Sequence, residues 1–255
     1  MKNFINALQF LTIVTVSKRH KVEDGDLAKS MVYFPVVGFL IGCFLVYADK
    51  LFFLIALPNT IVNLLLVALS VLVTRALHID GLADTLDGIM GGTTKSMRLA
   101  IMKDSRIGTA GVVGILFILL MKYLCLINLF NGEKVAALLI TPVLSRWSQT
   151  IMAFRGNYGR EDGMAKAFVG HLGVGGFVYT SILAVGFTAF VIMQEDARAL
   201  FLIVSVIIGV ALLTLLGRWY LVRKLGGVTG DAIGAVSELN EVLVLLLFVI
   251  LSGVR

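Results

Sequence analysis

Long, nearly uninterrupted apolar runs constrain this chain more than any other feature of its sequence. A helix rises about 1.5 Å per residue, so roughly 17 to 25 apolar residues cross a bilayer's hydrocarbon, whereas a helix in a soluble core is seldom apolar on every side. Residues 32–57, 61–77, 110–130, 135–153, 173–193, 199–217 and 241–252 are candidate spans. The last is short for a full crossing, and Asp49 and Lys50 interrupt the outer end of the first. With 58% hydrophobic residues and few strand-like alternations, the backbone must satisfy its polar groups within helices, which argues against a barrel. The expected class is all-α and polytopic, with about six to seven transmembrane helices. No internal period and no Pro-rich or Ser-rich linker divides residues 1–255, so a single domain is expected.

The N-terminal stretch has a lysine and an apolar run, but Asn6 and Gln9 interrupt it and no small-residue cleavage site follows, so a cleaved leader is not expected. Phe4, Leu8 and Leu11 share one helical face, as in an interfacial or core-packed helix. Cys43 and Cys125 lie inside apolar runs and suggest neither a disulfide nor a metal framework.

Basic residues in short loops stay in the cytoplasm. The N-terminal segment and alternate loops hold Lys2, Lys18, Arg19, Lys21 and Lys29, then Lys95, Arg98, Lys103 and Arg106, then Arg155, Arg160 and Lys166, then Arg218, Arg223 and Lys224, together 15 of the 22 basic residues. The intervening loops and the C-terminus hold only Lys134, Arg198 and Arg255. A multi-pass protein of the cell membrane, the inner membrane in a two-membrane cell, is expected, with a cytoplasmic N-terminus and three cytoplasmic loops. The net charge of +6 then reflects orientation and anionic substrates, and nothing requires nucleic acid. Gly38 and Gly42 form a GxxxG in the first span, consistent with a close helix contact or with chance in a glycine-rich chain.

The outer loops are too short to build a site, whereas residues 78–109 contain Asp80, Asp84, Asp87 and Asp104 within and after the stretch HIDGLADTLDG. At about 100° per residue, Asp84 lies about 40° from Asp80 and Asp87 about 20° to the other side, so three carboxylates share a helix face. A divalent cation would relieve their repulsion, and oxygen ligands without a soft partner suit Mg²⁺ or Mn²⁺ better than zinc. A solvated acidic helix is the plainer alternative. His78 falls on the far side, where a capping or substrate contact is expected.

In KDSRIGTAG, Lys103, Asp104 and Arg106 precede the small residues that open the next span, a setting for phosphate, although positive-inside anchoring also accounts for the two cations. Arg146 sits about two turns inside an apolar run and requires an anionic partner unless it snorkels. The loop FRGNYGREDGMAKAFVGH carries Arg155, Tyr158, Arg160, Glu161 and Asp162 among glycines, as a substrate-contacting loop or ordinary surface charge would. The last loop, KLGGVTGDAIGAVSELNE, sets Asp231 and Glu238 seven residues apart on one face, a second acidic half-site.

HIDGLADTLDG, MKDSRIGT and GGVTGDAIGAVSEL, together with FPVVGFLIG at 34–42, SRW at 145–147 and the series Arg155, Tyr158, Arg160, Gly163, resemble in order the cobalamin synthases, the adenosylcobinamide-GDP ribazoletransferases. The resemblance covers nearly the whole chain. It implies attack by a ribose hydroxyl of α-ribazole or α-ribazole 5′-phosphate on the phosphorus attached to adenosylcobinamide, with GMP leaving. It further implies Mg²⁺ on Asp80, Asp84 and Asp87, with Asp84, Asp80 or Asp104 as the catalytic carboxylate and Asp104, Asp231 and Glu238 supporting metal or substrate. Lys103, Arg106, Arg146, Arg155, Arg160 and His78 are the expected substrate contacts, Arg106 and Arg146 on phosphate. Membrane lipid surrounds the protein, and association with other corrinoid-pathway enzymes or a second copy is left open.

Two rivals remain. An alcohol phosphotransferase acting on CDP-linked lipids also sets aspartates at a membrane face, but its DGxxAR pattern needs an arginine that the residues after Asp80 and Gly81 do not supply. A cation transporter would need ionisable groups near mid-membrane, and few are visible in the sequence.

Overall fold

The computed structural model describes residues 2–16, 24–193 and 199–252, so Lys18, Arg19, Lys21, Arg198 and Arg255 lie outside the described residues. The helices are α1 (Lys2–Leu11), α2 (Asp24–Ser30), α3 (Phe34–Leu54), α4 (Asn59–Val73), α5 (Leu77–Gly91), α6 (Lys95–Ile101), α7 (Thr109–Ile127), α8 (Asn131–Ala153), α9 (Val174–Ile192), α10 (Ala199–Leu225) and α11 (Gly230–Ser252). Among the described residues the only bridge outside helices joins Tyr158 to Val228. Five helical stretches are long and apolar enough to cross a membrane: Gly25–Leu54, Thr109–Ile127, Val174–Ile192, Ala199–Leu225 and Gly230–Leu251. The protein is an all-α, multi-pass membrane protein.

Three expected spans differ from the helices observed. The run 61–77 breaks: α4 has 15 residues, and α5 leaves it at 85°, so α5 lies across the end of the bundle, outside the spanning segments. The turn is made without glycine, by Arg75 and Ala76 at φ of 54° and 56°, a left-handed conformation costing about 1–2 kcal/mol per residue. It is held by the Ala76 N–H donating to Val71 O at 2.9 Å and the Arg75 N–H to Leu72 O at 3.0 Å. The run 241–252 is the outer half of a 23-residue helix, α11, that starts at Gly230. The run 135–153 is helical as α8, but Ser145, Arg146, Ser148, Gln149 and Thr150 make it too polar to face lipid, and all five are buried. At about 1.5 Å per residue α8 is about 34 Å long.

α8 packs antiparallel to α3. A Cβ on Gly38 would collide with the Pro142 carbonyl, and one on Gly42 would sit 2.7 Å from Leu139 Cα, so the GxxxG is a true backbone-to-backbone contact. Lys134 and Asp49 close the far end of this pair at 2.5 Å. α1 buries Ala7 and Leu11 against the rest, with Phe4 edge-on to Tyr33, as its amphipathic pattern predicts.

Candidate active site

α5 and α11 meet through bare backbone. A Cβ on Gly81 would lie 2.9 Å from Asp231 Cα and O, and one on Gly234 would lie 3.0 Å from His78 O. This crossing brings the two acidic stretches together: Asp80 is exposed and Asp84 half-buried on α5, and Asp231 is half-buried in the first turn of α11. Arg160 joins them, its Nη2 lying 2.5 Å from Asp231 Oδ2. The loop bearing Arg160 is registered by the Gly159 N–H donating to Val228 O at 2.9 Å and the Val228 N–H donating to Asn157 O at 2.8 Å. Gly159 and Gly227 permit this approach, since a Cβ on Gly159 would meet Gly227 C and O at 3.0 Å.

Burial, then the charges of Asp231 and Asp80, push the Asp84 carboxyl up to about 6; Arg160 pulls it down and Asp87 adds a further push upward. A carboxylate of that kind can hold or release a proton near neutrality. Asp80, Asp84 and Asp231 are thus brought together from the two acidic stretches, whereas Asp87 and Glu238, their other members, are not.

Asp87 does not join these three as a ligand. Its two oxygens accept the Gly108 N–H at 2.7 Å and the Gly111 N–H at 2.8 Å, so it caps the start of α7. The shared helix face is real, but α7 begins opposite its last member and takes that carboxylate. Among the described residues no three His, Cys, Asp or Glu side chains come together as a metal cage, which corrects the expected three-aspartate set.

Other expected contacts are also reassigned. Arg146 is 2% exposed and pairs with Glu241, so the anionic partner it requires is internal and it is not free for phosphate. Glu238 is buried and paired with Lys122 at 2.6 Å, which also reaches Glu241 at 2.6 Å. The seven-residue spacing correctly puts Glu238 on the Asp231 face, but two turns deeper, about 10 Å along a helix that runs into the bundle. His78 is buried, with its Nε2 2.9 Å from Gln149 Nε2; Gln149 also donates to Ser237 Oγ at 2.8 Å. It therefore bridges α5 to the core. Burial, then the positive Arg146, lower its pKa to about 3.

Asp104 accepts from Arg106 Nε at 3.0 Å and Nη2 at 2.7 Å, and these bonds hold its carboxyl down at about 2. Both lie on the surface, lining a cleft of about 560 Å³ with Asp87 and the start of α7. Arg155 is exposed and its guanidinium lies over the Phe154 ring, 5.3 Å from the centroid. Lys103 lines a second groove of about 620 Å³ with Lys95, Tyr158, Arg160 and Glu161.

Sequence reasoning missed Lys122 and Glu241, although a charge inside an apolar run is itself the signal of an internal partner. It also missed Lys95 as a neighbour of Lys103.

The sequence pattern of the cobalamin-5-phosphate synthase family matches residues 3–249. The chain is 38% identical to an adenosylcobinamide-GDP ribazoletransferase of Geotalea daltonii, covering 99% of each chain. It is 35% identical to one of Thermoanaerobacter pseudethanolicus, covering 99% of this chain and 98% of the other. It is also 35% identical to one of Chlorobaculum tepidum, covering 97% and 94%. No solved structure matches. A match of this extent, over a chain whose acidic stretches meet in one site, shows that the protein belongs to the cobalamin-5-phosphate synthase family.

Proposed function

We propose that this protein joins adenosylcobinamide-GDP to α-ribazole or α-ribazole 5′-phosphate, in the last step of nucleotide-loop assembly. The ribose hydroxyl attacks the phosphorus attached to adenosylcobinamide, its O–P bond forms as the pyrophosphate bond breaks, and GMP departs. The observation that supports this most is the crossing of α5 and α11, which sets Asp84 among Asp80, Asp231 and Arg160 in a chain that matches ribazoletransferases over nearly its full length.

Asp84, with a carboxyl poised at about 6, is the group placed to accept the hydroxyl proton. Arg160, Lys103 and Arg106 supply cations for phosphate oxygens. The donor chemistry also fits Mg²⁺: hard carboxylate oxygens repel one another around Asp84, and Mg²⁺ is commonly held by one or two carboxylates plus substrate phosphates, so no complete protein cage is required. Asp80 and Asp231, flanking Asp84, would hold the ion, which would neutralise charge on the transferred phosphoryl group while Asp84 stays free to take the proton. The basic residues, among them Lys2, Lys29, Lys95 and Lys103, collect at the aspartate end, which supports a cytoplasmic placement of that end and of the N-terminus.

Purified protein in nanodiscs, supplied with adenosylcobinamide-GDP, α-ribazole and Mg²⁺, is expected to release GMP and a cobamide in equal amounts, and to stop when the cation is chelated. GMP release without cation dependence would remove the metal from this reading. Activity on a CDP-linked lipid, or cation flux without GMP, would replace the reading altogether.

A further inference from the structure

α6 is a short partition with a cleft on each side, and the two clefts differ in charge. On one side lie Asp87, Asp104 and Arg106. The other is a groove of about 620 Å³ whose charged lining is Lys95, Lys103, Arg160 and a single carboxylate, Glu161. Among the described residues no carboxylate lies within ion-pair distance of Lys95 or Lys103, while Arg160 is held against Asp231 at 2.5 Å. One end of the groove is thus strongly cationic and adjoins the carboxylates of the α5–α11 crossing.

The walls are apolar and partly aromatic. Leu99 faces from α6, and the half-buried Tyr158 faces from the opposite loop, whose backbone is fixed by its pairing with Val228. A flat base fits between such walls, and phosphate oxygens fit the cationic end. A volume of about 620 Å³ suits a nucleotide. Glu161 adds a selection rule. An ionised carboxylate only accepts hydrogen bonds, and guanine presents two adjacent N–H donors, at N1 and the exocyclic N2, where adenine presents an acceptor at N1.

We propose that the groove between α6 and the Tyr158–Glu161 turn is the nucleotide subsite. The guanosine monophosphate end of the donor lies in it, with phosphate on Lys95, Lys103 and Arg160 and the guanine edge on Glu161, so that the corrinoid projects outward from the site. The subsite rests on the reaction assigned above for its biological ligand, but its binding chemistry is testable alone.

Full-length protein in nanodiscs is titrated with GMP and with AMP, and donor and acceptor KM are measured separately. GMP is expected to bind more tightly than AMP. The double variant Lys95→Ala/Lys103→Ala should weaken GMP binding and raise donor KM by about tenfold to a hundredfold, leaving the α-ribazole KM within about twofold. Lys95→Arg/Lys103→Arg should recover most of the loss. Glu161→Gln should remove the preference for GMP over AMP. Wild-type protein that fails to bind GMP, or a double-alanine variant that folds and binds GMP normally, overturns the subsite. Wild-type protein that binds GMP through these lysines yet releases none from adenosylcobinamide-GDP overturns the reaction and leaves the groove standing.

Discussion

Two clusters in this protein each set carboxylates beside basic side chains and behave in opposite ways. In the interior, Lys122, Arg146, Glu238 and Glu241 are all buried and balance one another, two cations against two anions. At the end of the bundle, Asp80, Asp84 and Asp231 face one another with Arg160 as the cation among them. A single unpaired charge at the centre of a bilayer costs about 2.5–3.5 kcal/mol on insertion scales, so an interior cluster persists only if it is closed on itself. An open surplus of one sign persists where water, and in turn a ligand of opposite sign, can reach it. Charge balance separates a cluster that holds helices together from one that awaits a partner.

The largest expected effect breaks the balanced cluster. Lys122→Met strands the buried Glu238 and leaves Glu241 with Arg146 alone, and should cost about 3–5 kcal/mol, seen as lost folded yield and a lowered unfolding transition in detergent. Lys122→Met combined with Glu238→Gln should recover part of that loss; no recovery would mean the four charges do not act as a set.

The open cluster should respond the other way. Asp84→Asn is expected to reduce GMP release by about 10²–10⁴-fold while folded yield holds or improves, because a repelled carboxylate has been removed. Near-normal turnover would dismiss Asp84 as the proton acceptor.

Asp87 tests the boundary between the clusters. It sits on the same helix face as Asp84 but both its oxygens accept backbone N–H groups, and an amide has one oxygen for the two, so Asp87→Asn should lower stability by about 1–3 kcal/mol. A stability gain like that of Asp84→Asn would place Asp87 in the open cluster after all.

The smallest effect concerns pH. The Asp84 carboxyl moves from 3.8 to about 6 in the fold, so the folded state holds that proton more firmly than the unfolded chain does. Its ionisation weakens the fold above about pH 6, and the weakness is relieved as pH falls toward 4. The stability difference between wild type and Asp84→Asn should therefore shrink across that interval, as followed by denaturant unfolding.

Much of this was legible in the sequence. The apolar runs located α3, α7, α9 and α10, the four-residue and three-residue spacings put the aspartates on one face of α5, and the glycines beside Asp231 marked a close approach. Pairings between distant segments were not legible. Lys122 meets Glu238 across 116 positions, and Asp87 is claimed by an α7 start 21 residues away. Hydropathy marks α8 as an apolar run but does not show that its polar residues Ser145, Arg146, Ser148, Gln149 and Thr150 face other helices and not lipid. The 85° break before α5 rests on two left-handed residues, Arg75 and Ala76, that carry no glycine signal.

The glycines at the α5–α11 crossing carry no charge and donate nothing to a substrate, yet they calibrate the spacing of everything that does. Because main chain lies on main chain at Gly81 and Gly234, the aperture between the acidic stretches has no slack in the closing direction. A single methyl at Gly81 acts as a shim: it leaves every reactive group in place chemically and displaces all of them together. A tolerance set by absent atoms can be spoiled by the smallest of side chains.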